Sequence, residues 1–214
     1  MTNISKRLKS VVSFIDKDDS VVDVGCDHGL LSIYLVENKL VKEVIASDIN
    51  QNALNSAIAN IKARELEIPC VLSDGINDVS LDSVNTLVIS GMGTSTIIHI
   101  LSDKNKLKKI RKIITQSNNN HYELRSFMNE IGYYLKNENY TYDKGKWYVT
   151  SAFIKSGEKN EEMVLKYGLL NNEEYNDYLV SKYREIIEKI PTTSEDRDKL
   201  EKDLKEIEKA ILQK

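Results

Sequence analysis

Five short β-rich runs punctuate the chain between residues 20 and 117: SVVDVG, VKEVIASD, IPCVLSD, VNTLVISG and KIITQS, each closing on a small or acidic residue. Stretches of helical periodicity separate them, at Leu30 to Glu37, Gln51 to Arg64, Thr96 to Leu101 and Tyr122 to Ile131. Strands alternating with helices argue for a parallel sheet covered by helices on both faces. Ahead of the first run, Leu8, Val11, Val12 and Ile15 recur at helical spacing and predict a leading helix within Ser5 to Ile15.

After the fifth strand the pattern changes. Tyr140 to Tyr142 and Trp147 to Ile154 are β-rich and are separated by Asp143, Lys144, Gly145 and Lys146, which predicts an antiparallel hairpin closing the sheet. A five-stranded parallel core finished in this way resembles the class I, Rossmann-like methyltransferase fold. Beyond about Gly157 the β-rich runs stop. Leu179, Tyr183, Ile186 and Ile190 form one helical stripe, and Leu200, Leu204, Ile207 and Ile211 form another. Pro191 to Ser194 separate them, with Thr193 and Asp196 as a capping pair. The expected organisation is an α/β domain over residues 1–157, followed by a small α-helical, coiled-coil-like hairpin domain over 158–214.

Composition excludes several classes. With 41% hydrophobic residues and only two prolines, the chain is neither disordered nor collagenous. Cys26 and Cys70 are far apart and belong to no CxxC or Cys/His cluster, so neither a disulfide framework nor a metal site is expected. No apolar run approaches the roughly 18 residues of a membrane span. The opening MTNISKRLKS lacks the apolar centre of a secretory signal, and a cytoplasmic location is the expectation.

The formal net charge of −3 gives no global field that would attract nucleic acid, so a polyanion needs a local patch. Lys104, Lys106, Lys108, Lys109, Arg111 and Lys112 form one such cluster, and Lys6, Arg7 and Lys9 add a second. Both suit phosphate contacts, the other reading of the first being an ordinary lysine-rich loop.

The stretch Asp23-Val24-Gly25-Cys26-Asp27-His28-Gly29 ends the first strand and opens a helix. A dinucleotide fingerprint would need glycine at positions 25, 27 and 30, where the chain has Gly25, Asp27 and Leu30. A carboxylate at 27 would also repel a pyrophosphate at the helix N-terminus. S-adenosyl-L-methionine suits the same place better, because it presents an ammonium and a sulfonium in place of phosphates. Asp48, closing the second run, is placed to accept ribose hydroxyls, and Asp74, closing the third, to accept the exocyclic amine of adenine.

DVGCDHGLL, ASDIN, SDGI and ISGMGT, in this order, resemble the bacterial tRNA (adenine(22)-N(1))-methyltransferase family, the TrmK family. The resemblance extends over nearly the whole chain, including SKRL, TQSNNNHYELRSFM and the C-terminal helices. It implies methyl transfer from S-adenosyl-L-methionine to ring nitrogen 1 of adenine 22 of tRNA, with S-adenosyl-L-homocysteine as product, by a monomer that needs no metal. It further implies that Asp23, Gly25, Asp27 and His28 lie by the cofactor methionine and that Asp48 and Ile49 lie by the ribose. Asp74 and Gly75 would form the adenine-side loop, Ser90, Gly91 and Met92 would face the methyl group, and Arg7 would cover the pocket. Asp27, His28 and Met92 are the candidate catalytic residues.

Two positions depart from the family pattern: Thr94 stands where a glycine is usual after GMG, and Ser117 where QPN has proline.

Ring nitrogen 1 carries a lone pair and attacks the methyl directly, so the protein's tasks are alignment and electrostatics. The adenine becomes positively charged, and Asp27 is the first candidate to stabilise it, while His28 is placed to bond the base edge or carry the released proton. Met92 is expected to pack against the cofactor. The absence of a [DN]PP[YFW] loop, replaced by SGMGT, counts against methylation of the exocyclic amine. The competing readings are a class I methyltransferase for another RNA or a small molecule, and a tRNA-binding module without turnover.

Overall fold

The computed structural model describes residues 2–213. Its sheet is built from β1 (Ser20–Val24), β2 (Glu43–Asp48), β3 (Cys70–Leu72), β4 (Thr86–Met92), β5 (Lys112–Ser117), β6 (Tyr133–Asp143) and β7 (Lys146–Lys155). The spatial order is β3-β2-β1-β4-β5-β7-β6. β1 to β5 run parallel, and β7 pairs antiparallel with both β5 and β6. The five runs and the closing hairpin seen in the sequence are therefore all present. The order reverses between β1 and β4, which is the switch point where open α/β sheets leave a crevice at their carboxyl ends.

The connecting helices are α1 (Lys6–Val12), α2 (Leu30–Glu37), α3 (Gln51–Lys62), α4 (Thr94–Ile100) and α5 (His121–Glu130). β1 is buried along its whole length, and Val21, Ile33, Leu35, Ala46 and Val88 have no exposure, as a strand covered on both faces requires. α1 is capped by Ser5, whose hydroxyl accepts from the Leu8 amide, and α3 by Asn50, whose side chain accepts from the Asn52 and Ala53 amides.

β6 begins at Tyr133, well before the Tyr140 expected from sequence. Its early residues, LKNENY, are mostly polar, and both faces of this edge strand are engaged, one by α1, where Asn139 donates to Ser13 Oγ, and the other by packing on α5. In that packed face Arg125 and Glu138 form a buried ion pair at 2.8 Å, with side chains 4% and 0% exposed. Ser151 Oγ and Tyr140 OH also donate to the carboxylate. Burial pushes Glu138 up, but Arg125 and these hydroxyls outweigh it and hold the carboxyl below its usual range. The two-residue turn Lys144-Gly145 has φ of 50° and 80°, the left-handed pair that a tight hairpin between twisted strands demands.

At the opposite end of the sheet from the crevice, Lys112 is buried and bonded to Asp16, Asp19 and the Phe14 carbonyl. Lys109 pairs with Asp82 and Lys106 with Asn77, while Lys104, Lys108 and Arg111 are exposed. Of the expected phosphate-binding cluster Lys112 is removed, since it anchors the start of β5, while the other five cations stay at least partly exposed at the amino end of that strand.

The chain divides into two compact units, residues 1–166 and 167–214. Residues 158–166, expected in the second domain, belong with the first. A helix missed by the sequence reading, α6 (Glu162–Tyr167), lies here, and Asn160 closes the edge of β6 by bonding both the amide and the carbonyl of Leu135.

The second unit holds α7 (Glu173–Lys189) and α8 (Glu195–Leu212), joined by a short loop as expected. The expected stripe of α8 holds, with Ile207 buried and Leu200, Leu204 and Ile211 half-buried; on α7 Leu179, Tyr183 and Ile190 are half-buried as expected, but Ile187 is buried in place of Ile186, which is 41% exposed. Ser194, rather than Thr193, is the N-cap of α8, and its side chain makes no capping bond. The loop is instead closed by Arg197, which donates to the Ile187 and Ile190 carbonyls at the end of α7. Among the described residues no helix is long and apolar enough to cross a membrane.

Candidate active site

The crevice at the carboxyl ends of β1, β2 and β4 is a cavity of about 390 Å³, within the range of small-molecule sites. All twelve residues singled out from sequence line it: Arg7, Asp23, Gly25, Asp27, His28, Asp48, Ile49, Asp74, Gly75, Ser90, Gly91 and Met92. Parallel topology explains the convergence. Each strand ends at the same rim, so segments far apart in sequence deliver their terminal residues to one place.

The loop after β1 is fastened to the end of β2. The Gly25 and Cys26 amides donate to the Ser47 carbonyl at 2.8 and 2.9 Å, and the Asp27 amide donates to Asp48 Oδ2 at 3.0 Å. Asp48 Oδ1 accepts from the Asn50 amide at 2.8 Å, so one carboxylate organises both the first loop and the start of α3. Asp48 is almost fully buried, yet it borders the cavity and retains acceptor capacity for a ligand. Asp27 holds a left-handed φ of 52°, a conformation that Asp and Asn tolerate better than most residues. Its carboxylate lies 3.6 Å from His28 Nε2, with side chains 74% and 58% exposed, so both groups are presented at the cavity mouth.

Gly25 makes room at the centre. It has φ of 73°, and a Cβ there would stand 2.2 Å from Met92 Cε. Met92 follows a bulge at the end of β4, where Gly91 has φ of 81° and the register against β5 shifts between Ser90 and Met92. Arg7 borders the same end of the cavity, its guanidinium donating to Gln116 Oε1 at 3.2 Å while Gln116 Nε2 donates to the Arg7 carbonyl.

Asp23 sits at the floor, buried and accepting from Ser32 Oγ at 2.8 Å. Burial pushes its carboxyl up to about 6, against the pull of Ser32, with Asp48 adding to the rise. Asp74 lies two residues beyond the end of β3 and is exposed. Burial and the neighbouring Asp23 and Asp48 raise the Cys26 thiol far above its ordinary value, so it is no nucleophile.

Several lining residues escaped the sequence reading, among them Leu8, Leu30, Ser73, Thr96, His99 and Ile100. Leu30 and Ile49 are large apolar residues 37% and 66% exposed, the kind of open apolar surface that a flat ring system covers. No sequence periodicity marks them, because exposure beside a cavity follows from how the strand ends meet. The described residues contain no group of His, Cys, Asp and Glu able to hold a metal.

Comparison with known proteins agrees with this arrangement. The family profile described as "Methyltransferase domain" matches residues 4–150. The chain belongs to this methyltransferase family. It is 30% identical over 148 residues to the tRNA (adenine(22)-N(1))-methyltransferase of Bacillus subtilis, a match covering 68% of this chain and 62% of that protein. Among solved structures, M. capricolum TrmK in complex with S-adenosyl-homocysteine superposes with a TM-score of 0.84 at 29% identity, over 97% of each chain. A Streptococcus pneumoniae structure assigned to the tRNA (m1A22) methyltransferases, in complex with S-adenosyl-L-methionine, gives a TM-score of 0.84 at 28% identity over 98% of this chain and all of that one. The matched stretch spans less than two thirds of the length of the first curated relatives, 65% and 62%.

Proposed function

We propose that the chain transfers a methyl group from S-adenosyl-L-methionine to ring nitrogen 1 of adenine 22 of bacterial tRNA, leaving S-adenosyl-L-homocysteine. The observation that carries the reading is the cavity's charge pattern. Asp23, Asp27, Asp48 and Asp74 surround a glycine-lined space, which suits a cationic ligand with hydroxyls and disfavours a pyrophosphate. The structures with bound cofactor or cofactor product support the same choice of ligand.

The residues present fit that ligand. Gly25, with no side chain, leaves the space that a Cβ would close against Met92. Asp48 would accept ribose hydroxyls, Ile49 would cover an adenine face, and Asp74 and Gly75 would meet its edge. Asp23, Gly25, Asp27 and His28 would hold the methionine end, with Arg7 closing over it. S-adenosyl-L-methionine, when bound, supplies the electrophilic methyl.

The protein's part is alignment. Ser90, Gly91 and Met92 would shape the opening through which the base approaches, and Met92 would pack against the cofactor. Asp27 would balance the positive charge that the adenine acquires. Its exposure in this structure means that full strength comes only when RNA excludes water from the cavity mouth. His28, 3.6 Å away, would bond the base edge or take up the released proton.

The target nitrogen lies on the pairing edge of adenine, so the nucleotide must be unpaired and partly unstacked. The helical unit over 167–214 is assigned the positioning of tRNA, and the protein is assigned to the cytoplasm as a monomer. The test is methyl transfer to tRNA transcripts carrying adenine or guanine at position 22. Transfer to the first and not the second is expected; equal labelling of both, or of neither, would remove the assignment.

A further inference from the structure

Gln116, one residue before the end of β5, is a polar side chain with no exposure. Its amide is committed at both ends. Nε2 donates to the Arg7 carbonyl at 3.0 Å and to Thr150 Oγ1 at 2.7 Å, and Oε1 accepts from Arg7 Nη1 at 3.2 Å. A carbonyl only accepts and a guanidinium only donates, so the two ends of Arg7 fit one orientation of this amide and no other. Thr150 accepts in turn from Ser10 Oγ at 3.0 Å, which ties the same network to the next turn of α1.

Arg7 is fixed from other sides as well. Its amide donates to Asp143 Oδ2 at 3.2 Å, and its guanidinium lies 5.9 Å from the centre of the Tyr148 ring. Nη1 is 3.8 Å from the point where a Cβ on Gly91 would stand, so the guanidinium lies over the end of β4. α1 already has its cap in Ser5 and its buried anchor in Val11. An arginine held by β5, β6 and β7 therefore serves the cavity it lines more than the helix that carries it.

The charges of that cavity give Arg7 a task. Asp23, Asp27, Asp48 and Asp74 line it, and among the described residues Arg7 is its one lysine or arginine. Those carboxylates suit the ammonium, sulfonium and hydroxyls of S-adenosyl-L-methionine and oppose its carboxylate. Backbone donors of the first loop do not meet that need, because the amides of Gly25, Cys26, Asp27 and Gly29 are already bonded to Ser47, Asp48 and Cys26. Gln116 takes a single guanidinium N–H and leaves others for an anion.

We propose that Gln116 is a positioning residue: it locks Arg7 in the conformation that presents the guanidinium to the methionine carboxylate of the cofactor. The inference rests on the S-adenosyl-L-methionine reading above. It deepens that reading by naming the group that recognises the ligand's anionic end and the buried amide that sets it in place.

S-adenosyl-L-homocysteine and 5′-methylthioadenosine share the adenosine thioether, and only the first carries the amino acid end. Calorimetric titration of both into the full chain separates recognition of that end from general damage to the cavity. Gln116→Leu and Arg7→Ala are each expected to weaken S-adenosyl-L-homocysteine roughly tenfold, the scale of one charge-assisted contact, with 5′-methylthioadenosine affinity unchanged. Combined, they should lose little more than Arg7→Ala alone, because both remove the same contact. Gln116→Glu keeps the size of the side chain and its bond to the guanidinium, while its charge competes with the ligand carboxylate for Arg7. The same selective loss is therefore expected of it, and it decides the matter if the leucine variant does not fold. Wild-type affinity for S-adenosyl-L-homocysteine in the folded Gln116 variants, or an equal loss for both ligands, overturns the positioning role and leaves the cofactor reading standing. Failure of the wild-type chain to bind S-adenosyl-L-homocysteine removes both.

Discussion

Thr94 Oγ1 and Ser117 Oγ lie 2.8 Å apart, joining by a hydrogen bond the two positions at which the sequence departs from the pattern it otherwise resembles. Thr94 opens α4 and Ser117 ends β5, and the Thr94 hydroxyl also reaches the Asn119 carbonyl at 2.6 Å while its amide donates to Asn119 Oδ1. Two buried hydroxyls thus hold the loop behind Met92 in shape.

Breaking that pair should therefore be costly on either side. Thr94→Ala and Ser117→Ala are each expected to lower stability by about 1 kcal/mol, the scale of a lost hydrogen bond, since the remaining hydroxyl keeps its bond to the Asn119 carbonyl. The double variant should lose less than the sum. Urea unfolding of the four proteins checks this, and strict additivity would show that the two hydroxyls are not coupled.

Asp48→Ala should weaken S-adenosyl-L-methionine binding by roughly 1–3 kcal/mol, the scale for losing a charged acceptor. Part of the loss is indirect, since the Asp27 and Asn50 amides lose their acceptor as well. Asp48→Asn keeps one carbonyl oxygen and should recover part of the affinity. Calorimetry giving wild-type affinity for the alanine variant would take Asp48 out of the site.

Asp27→Asn should leave folding intact, because Asn accepts the left-handed backbone conformation at this position. Single-turnover methyl transfer should slow by about tenfold, a modest figure chosen because an exposed carboxylate is well screened until RNA covers it. Wild-type rates with saturating tRNA and cofactor would end its electrostatic role.

Asp23 gives stability a defined pH dependence. Its folded carboxyl titrates at about 6, above the unfolded value of 3.8, so the native state holds the proton more tightly and stability from this group falls as pH rises. The loss begins near 4, is complete a little above 6, and amounts to roughly 2–3 kcal/mol by the size of the shift. Asp23→Asn, which can still accept from Ser32, should be more stable than wild type at neutral pH and lose that slope. Parallel unfolding curves for the two proteins between these pH values would contradict it.

Truncation distinguishes the two units. Ending the chain after residue 168 should leave a folded protein that binds cofactor and fails to methylate tRNA. Ending it after residue 158 should cost stability as well, on the order of 1–3 kcal/mol, because Asn160 no longer satisfies the Leu135 amide and carbonyl. Full tRNA methylation by the longer truncation would remove the positioning role assigned to α7 and α8.

The β-α alternation, the hairpin turn at Lys144-Gly145 and the loops ending in Asp27, Asp48, Asp74 and Met92 were legible in the amino-acid sequence. Each is a local property, written in periodicity, turn chemistry or the residues at a strand's end, and parallel topology then carries all the strand ends to one rim. Other features depended on contacts between distant segments. The start of β6 at Tyr133 is hidden because its inward polar residue, Glu138, is neutralised by Arg125 from α5. The burial of Lys112 required Asp16 and Asp19, nearly a hundred residues earlier, and which of the neighbouring Ile186 and Ile187 is buried on α7 was set by tertiary packing. Thr94 and Ser117 looked like two separate irregularities until folding brought them together. Sequence patterns record what each segment prefers alone, whereas the pairing of a buried charge or hydroxyl is decided only when the tertiary structure supplies its partner.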